Sequence, residues 1–128
     1  DQFPDRDGII NSIYILDLIK QTGLSISKIL DEIKTLVGYR CFVRKDIDFD
    51  INMRKEINKN IMNIKPKEIY NFDISYSTDI DGIKHVYNDG SWFLVRISGT
   101  ENVVRIYCES KQEEITELIL NKVINLIT

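Results

Sequence analysis

The chain has 128 residues, 43% apolar and 29% charged, a composition that suits a folded domain and excludes bulk disorder. Its 17 Lys and Arg against 20 Asp and Glu give a formal net charge of −3, which excludes a general nucleic-acid binder held by excess positive charge but leaves room for one small anion pocket. Asp17 and Lys20 interrupt the best apolar run, so none is long enough to span a bilayer, and the first residues carry no secretory signal.

The first residue is not Met, and the chain reads as a piece cut from a longer one. Cys41 and Cys108 lack CxxC spacing and fall in apolar strand-like runs, so reduced buried thiols in a cytoplasmic protein are expected. The lack of alanine and the density of Ile, Lys and Asn point to an A+T-rich genome.

Asp7 to Thr22 carries Ile9, Ile13, Leu16 and Ile19 at helical spacing, widened by Ile10, Ile15 and Leu18. So little polar face remains that this helix is expected to be mostly buried. Gly23 is its stop. Ser25 is the expected N-cap of a second helix with Ile26, Ile29, Leu30, Ile33 and Val37 on one face, closed by Gly38.

Tyr39 to Phe49 alternates as a strand with a charged interruption at Arg44-Lys45-Asp46. Asp50 can cap a third helix with Met53, Ile57, Ile61 and Ile64 facing the core, stopped by Pro66. Its Lys and Asn residues between 54 and 67 are a solvated face. Asn71 to Ser77 reads as a strand, and Ile83–Tyr87 and Trp92–Ile97 as a hairpin about Asn88-Asp89-Gly90-Ser91. Val103 to Glu109 is the last strand. Ser110-Lys-Gln-Glu113 has the pattern of a capping box, opening a helix with Ile115, Ile119, Val123 and Leu126 inward. From about residue 43 the order is taken as strand, helix, three strands, helix. The expected class is α+β: an antiparallel four-stranded sheet with helices on one face, preceded by a helical pair over 1–42.

The strongest chemical signal lies between the last two strands. Ser98, Gly99 and Thr100 offer two hydroxyls and a backbone that Gly99 frees to approach a ligand and take positive φ. Arg96 and Arg105 flank them with guanidinium groups. Many donors with paired Arg suit a phosphate dianion. Glu101 would repel such an anion, so it is expected to pair with an Arg or cap an amide. The bland alternative is an ordinary turn with two solvated arginines.

Arg96-x-Ser98-Gly99-Thr100-Glu101-x-x-x-Arg105-x-Tyr107-x-Glu109 resembles the phosphate-binding loop in the last domain of the α-D-phosphohexomutases, a family that includes phosphoglucomutase, phosphomannomutase and phosphoglucosamine mutase. Asp81-Gly82-Ile83-Lys84 and Gly90-Ser91-Trp92 resemble the family's approach to that loop, and Asp7-Gly8-Ile9 with Gly23-Leu-Ser25 resembles the end of its third domain. The family commonly has Pro where Ile97 and Asn102 stand here, so the loop is expected to be looser.

The resemblance implies that 1–42 are the C-terminal helices of domain 3 and 43–128 are domain 4, with a TATA-binding-protein-like fold. It implies a part of an enzyme that interconverts hexose 1-phosphate and hexose 6-phosphate. Arg96, Ser98, Gly99, Thr100 and Arg105 would clamp the phosphate that is not transferred. The catalytic serine and the Mg²⁺ site of the full-length enzyme would lie in other domains, so this piece would hold no catalytic residue, metal or cofactor. The implied partners are a hexose phosphate and the remaining domains, in the cytoplasm, with no nucleic acid or membrane. The rival reading is a stand-alone, non-catalytic module for a phosphorylated ligand or a partner.

Three further features are expected to be structural. Asp46-Ile-Asp48-Phe-Asp50 has metal-like spacing but reads as a strand edge and an N-cap. His85 is expected at the surface or in a pair, and Trp92 and Phe93 in packing.

Overall fold

The computed structural model describes residues 7–127. The chain forms two units, one ending at Gly38 and the other starting at Tyr39.

In the first unit, helix α1 (Gly8–Thr22) starts where the Asp7 carboxylate accepts from the amides of Ile9 and Ile10 at 2.9 and 3.0 Å. A side-chain cap of this kind is worth about 1 kcal/mol. Gly23, at φ 67°, ends the helix with its N–H on Ile19 O. The Ser25 hydroxyl accepts from Lys28 N at 3.4 Å to start α2 (Ile26–Val37), and Gly38 closes it. Gly23, Ser25 and Gly38 act as the sequence expects, and Asp7, expected as the first helical residue, is the N-cap instead; the burial differs from expectation, since no residue of α1 or α2 is buried. Apolar side chains surround most of α1, and a pair of helices has too little surface to cover such a helix on all sides.

The second unit is one antiparallel sheet with helices on one face. Its strands are β1 (Cys41–Asp48), β2 (Ile74–Thr78), β3 (Ile83–Tyr87), β4 (Trp92–Ile97) and β5 (Val103–Ser110), in the spatial order β1-β5-β4-β3-β2. All five runs read as strands in the sequence enter this one sheet, so the expected count of four is one short. The short β2 pairs with β3 across a bulge between Ile74 and Tyr76, and β1 pairs with β5 along its whole length. That ladder starts at Cys41 opposite Ser110, which moves the break between units from the expected residue 42 back to Gly38. It also runs through Arg44-Lys45-Asp46 without interruption, because an edge strand tolerates charged residues.

A 3₁₀ turn (Ile51–Met53), with Asp50 accepting from Asn52 N at 2.8 Å, leads into α3 (Arg54–Met62). Pro66 does not stop that helix; it starts the short α4 (Pro66–Ile69), where a missing N–H costs nothing. Two residues, Lys111 and Gln112, separate the end of β5 from helix α5 (Glu113–Ile127). The expected capping box is absent. Ser110 is the last residue of β5; its hydroxyl accepts from Gln112 N at 3.1 Å and bonds the Thr116 hydroxyl at 2.7 Å.

Strand alternation puts Tyr87, Phe93, Val95, Val104, Ile106 and Cys108 on the covered face, packed with Ile57 and Ile61 of α3 and Ile119, Val123 and Ile127 of α5. Thr116 and Ile127 are buried on α5, whereas Leu126 is largely exposed, one position from its expected place. The opposite parity makes an open face. In register across it stand Asp46, Arg105 and Arg96, then Arg44, Tyr107, Leu94 and Lys84. Trp92 belongs to this face, tilted against Phe42 with the Lys84 ammonium 4.3 Å over its ring, while Phe93 is in the core. The family's fold expectation therefore holds in class and layering.

Candidate functional site

The turn from β4 to β5 brings the five residues singled out by sequence to one end of two interior strands of the sheet. Arg96 and Arg105 are direct cross-strand partners on the open face. Like charges so placed repel, so the pair persists only where negative charge offsets it. Three carboxylates supply that charge here. Arg96 Nη1 donates to Asp81 Oδ2 at 2.6 Å, Arg105 Nη2 donates to Glu101 Oε2 at 2.6 Å, and Arg105 Nε lies 3.6 Å from Asp46 Oδ2. Asp46 is shared, since Arg44 Nε and Nη2 donate to its two oxygens at 2.7 and 2.6 Å. The hydrogen bond to Arg44 is the first cause, and the charge of Arg105 a smaller one, that holds the Asp46 carboxyl below its ordinary range. Arg105 Nε itself is buried without a hydrogen-bond partner. Exposed ion pairs of this type are worth about 0–1 kcal/mol each, so an incoming anion with better geometry can displace or share them.

The expected pairing of Glu101 with an Arg is thus observed, and Arg105 is its partner. Two other expectations fail. Gly99 does not take positive φ, and a Cβ there would meet nothing within 4 Å. The glycine that the backbone demands is Gly82, at φ 105°, where a Cβ would lie 2.5 Å from Val95 O and 2.9 Å from Arg96 Cβ. Gly82 lets the turn carrying Asp81 close onto β4 beside Arg96.

Ser98 is also not an open hydroxyl: it is 2% exposed. Its N–H donates to Val103 O at 2.8 Å, its hydroxyl accepts from Glu101 N at 3.3 Å, and its carbonyl accepts from Arg54 Nη2 at 2.8 Å. Ser98 anchors the turn, and Gly99 and Thr100 form its exposed tip. Among the described residues, nothing accepts from the amides of Gly99 and Thr100. The site therefore has two guanidinium groups, two free amides and one exposed hydroxyl, close to the expected set with Ser98 moved to a supporting role. Arg54 and Asp81 were missed by sequence reasoning, because they meet the turn from 44 and 15 residues away.

The acidic groups beside the turn serve the arginines. Each of Asp46, Asp81 and Glu101 is taken up by an Arg, and among the described residues no three His, Cys, Asp or Glu side chains converge. Asp50 caps the 3₁₀ turn, as the reading of 46–50 expects. His85 is buried rather than at the surface, and it is paired, the other alternative that the sequence offers. Its Nδ1 and the Ser77 hydroxyl are 2.6 Å apart, its Nε2 is buried without a partner, and burial lowers its pKa. Cys108 is a buried free thiol as expected, its pKa pushed up to about 12 by burial, and Cys41 is a half-buried free thiol.

Comparison with known proteins shows the family of the chain. The chain is 32% identical over 116 residues to a phosphoglucomutase/phosphomannomutase of Thermococcus kodakarensis, covering 88% of this chain and 23% of that protein. It is 26% identical over 121 residues to a phosphoglucosamine mutase of Methanococcus maripaludis, covering 94% and 25%. It is 29% identical over 123 residues to a phosphoglucosamine/phosphogalactosamine mutase of Sulfurisphaera tokodaii, covering 95% and 25%. The chain therefore spans about a quarter of the length of these curated relatives. Residues 51–126 match the family described as phosphoglucomutase/phosphomannomutase, C-terminal domain. With that match covering more than half of the chain and the β4–β5 turn within it, the chain belongs to the phosphoglucomutase/phosphomannomutase family, as its C-terminal domain.

Proposed function

We propose that the β4–β5 turn holds a phosphate group of a hexose phosphate within a phosphohexomutase, an enzyme that moves a phosphoryl group between the 1 and 6 positions of a sugar. The relatives named for glucose, mannose, glucosamine and galactosamine phosphates support that substrate class. The observation that carries the reading is the direct cross-strand pairing of Arg96 with Arg105 below two unpaired amides. In the folded chain Asp81, Glu101 and Asp46 offset the charge of that pair, and a phosphate dianion would displace or share those carboxylates.

In this reading Arg96 and Arg105 make charge-assisted bonds to the phosphate that is not being transferred. The amides of Gly99 and Thr100 and the Thr100 hydroxyl supply the remaining donors, and Ser98 holds the turn in shape. Binding at the remote end fixes the reacting end of the sugar, so that binding energy is used for orientation. The phosphoryl donor and the Mg²⁺ would be supplied from outside this chain, and the residues up to Gly38 would be the tail of the preceding domain.

The test is Arg96→Ala in the full-length enzyme. A charge-assisted bond in a closed cleft is worth roughly 1.5–3 kcal/mol, so kcat/KM should fall about 10- to 100-fold at an unchanged melting temperature. Arg96→Lys should restore only part, having charge without the planar fork. Unchanged kinetics, or a loss explained wholly by unfolding, refutes the reading.

A further inference from the structure

Arg54 touches the turn without being part of it. It opens α3, which packs with α5 on the covered side of the sheet, whereas Arg96 and Arg105 lie on the open face. Its Nη2 donates to the Ser98 carbonyl at 2.8 Å. In a planar trans peptide the carbonyl and the following N–H point in opposite directions. A Ser98 carbonyl drawn towards α3 therefore turns the Gly99 N–H away from α3, towards the side of Arg96 and Arg105.

A peptide next to glycine needs such a tether. Glycine accepts either orientation at little cost, and the 98–99 peptide is not fixed by a strand ladder, since β4 ends at Ile97. No other described residue bonds the Ser98 carbonyl or the Gly99 amide, so the Arg54 bond selects the orientation.

We propose that Arg54 is a positioning residue: it aims the Gly99 amide at the anion by holding the Ser98 carbonyl from α3. The proposal rests on the reading that this turn binds phosphate, and it adds a residue that contacts no ligand. Donors that are aimed before the ligand arrives bind it without a cost of reorganisation.

The experiment uses the 128-residue chain, wild type and Arg54→Met, with Arg54→Gln as the second variant should the first melt early. The residual dipolar coupling of the Gly99 N–H, measured without ligand, reports the peptide's orientation. Titration with inorganic phosphate at low and high salt gives the affinity. The expected result is a changed Gly99 coupling with unchanged couplings in β4, and a Kd raised about fivefold or more at both salt concentrations. An unchanged coupling overturns the proposal, and so does an affinity loss that disappears at high salt, which is the behaviour of a charge acting at a distance. Wild-type chain that shows no phosphate shifts over 96–105 overturns the phosphate reading itself. Wild-type binding with equal affinity in the variant overturns the role of Arg54 alone.

Discussion

Replacing Gly82 by Ala tests whether the site is built from tertiary contacts or from the turn alone. At φ 105° an L side chain is strained, by about 1–2 kcal/mol. The new Cβ would also sit 2.5 Å from Val95 O and 2.9 Å from Arg96 Cβ. Both atoms belong to a central strand bonded on each side, so they cannot move freely, and relief of the overlap adds about 1–3 kcal/mol. A total near 3 kcal/mol corresponds to a fall in melting temperature of about 12–24 °C for a unit of this size. Gly99→Ala is the control. Its Cβ meets open space and its φ is not positive, so the change should stay within about 0.5 kcal/mol. Calorimetric melts of both variants of the 128-residue chain decide the matter. A Gly82→Ala protein melting within a few degrees of wild type, or a Gly99→Ala protein losing as much as Gly82→Ala, refutes the reasoning.

Two further outcomes follow from buried titratable groups. Burial pushes the Cys108 thiol up to about 12, so an alkylating reagent at neutral pH should modify it only as the protein unfolds; modification at the rate of a free peptide thiol contradicts its place in the core. His85 is held neutral by burial, with its pKa lowered from 6.5. The unfolded chain then binds the extra proton first, so this contribution to stability is complete above about pH 6.5 and is lost as pH falls through that value towards the lower folded pKa. Melting curves of His85→Gln should lose that part of the pH dependence; an identical pH profile in both proteins argues against a buried neutral imidazole.

What the sequence reveals is what neighbours in the chain decide. Asp7, Gly23, Ser25 and Gly38 bound the first two helices because capping involves residues two to four apart. Alternation gives β3, β4 and β5 nearly to the residue. The failures are non-local. Ser110 and Glu113 fit a capping box, but the β1–β5 ladder and Thr116 claim Ser110. Gly99 looks like the glycine with special backbone, yet Gly82 is the one pressed against β4. Ser98 looks like an open donor until the folded chain brings up Val103, Glu101 and Arg54. The Arg pair beside the turn and the pairing of Glu101 with an Arg are visible in sequence, but Asp46 and Asp81 reach that pair only through the sheet register and the turn at Gly82.

The most direct measurement is a ¹H–¹⁵N titration of the 128-residue chain with glucose 1-phosphate, followed residue by residue. Shifts should concentrate at Gly99, Thr100, Arg96 and Arg105, saturate in the millimolar range because the site is exposed, and weaken as salt screens the guanidinium groups. An absence of shifts over 96–105 at tens of millimolar ligand, or shifts spread instead over the Lys-rich face of α3, contradicts a phosphate site at this turn.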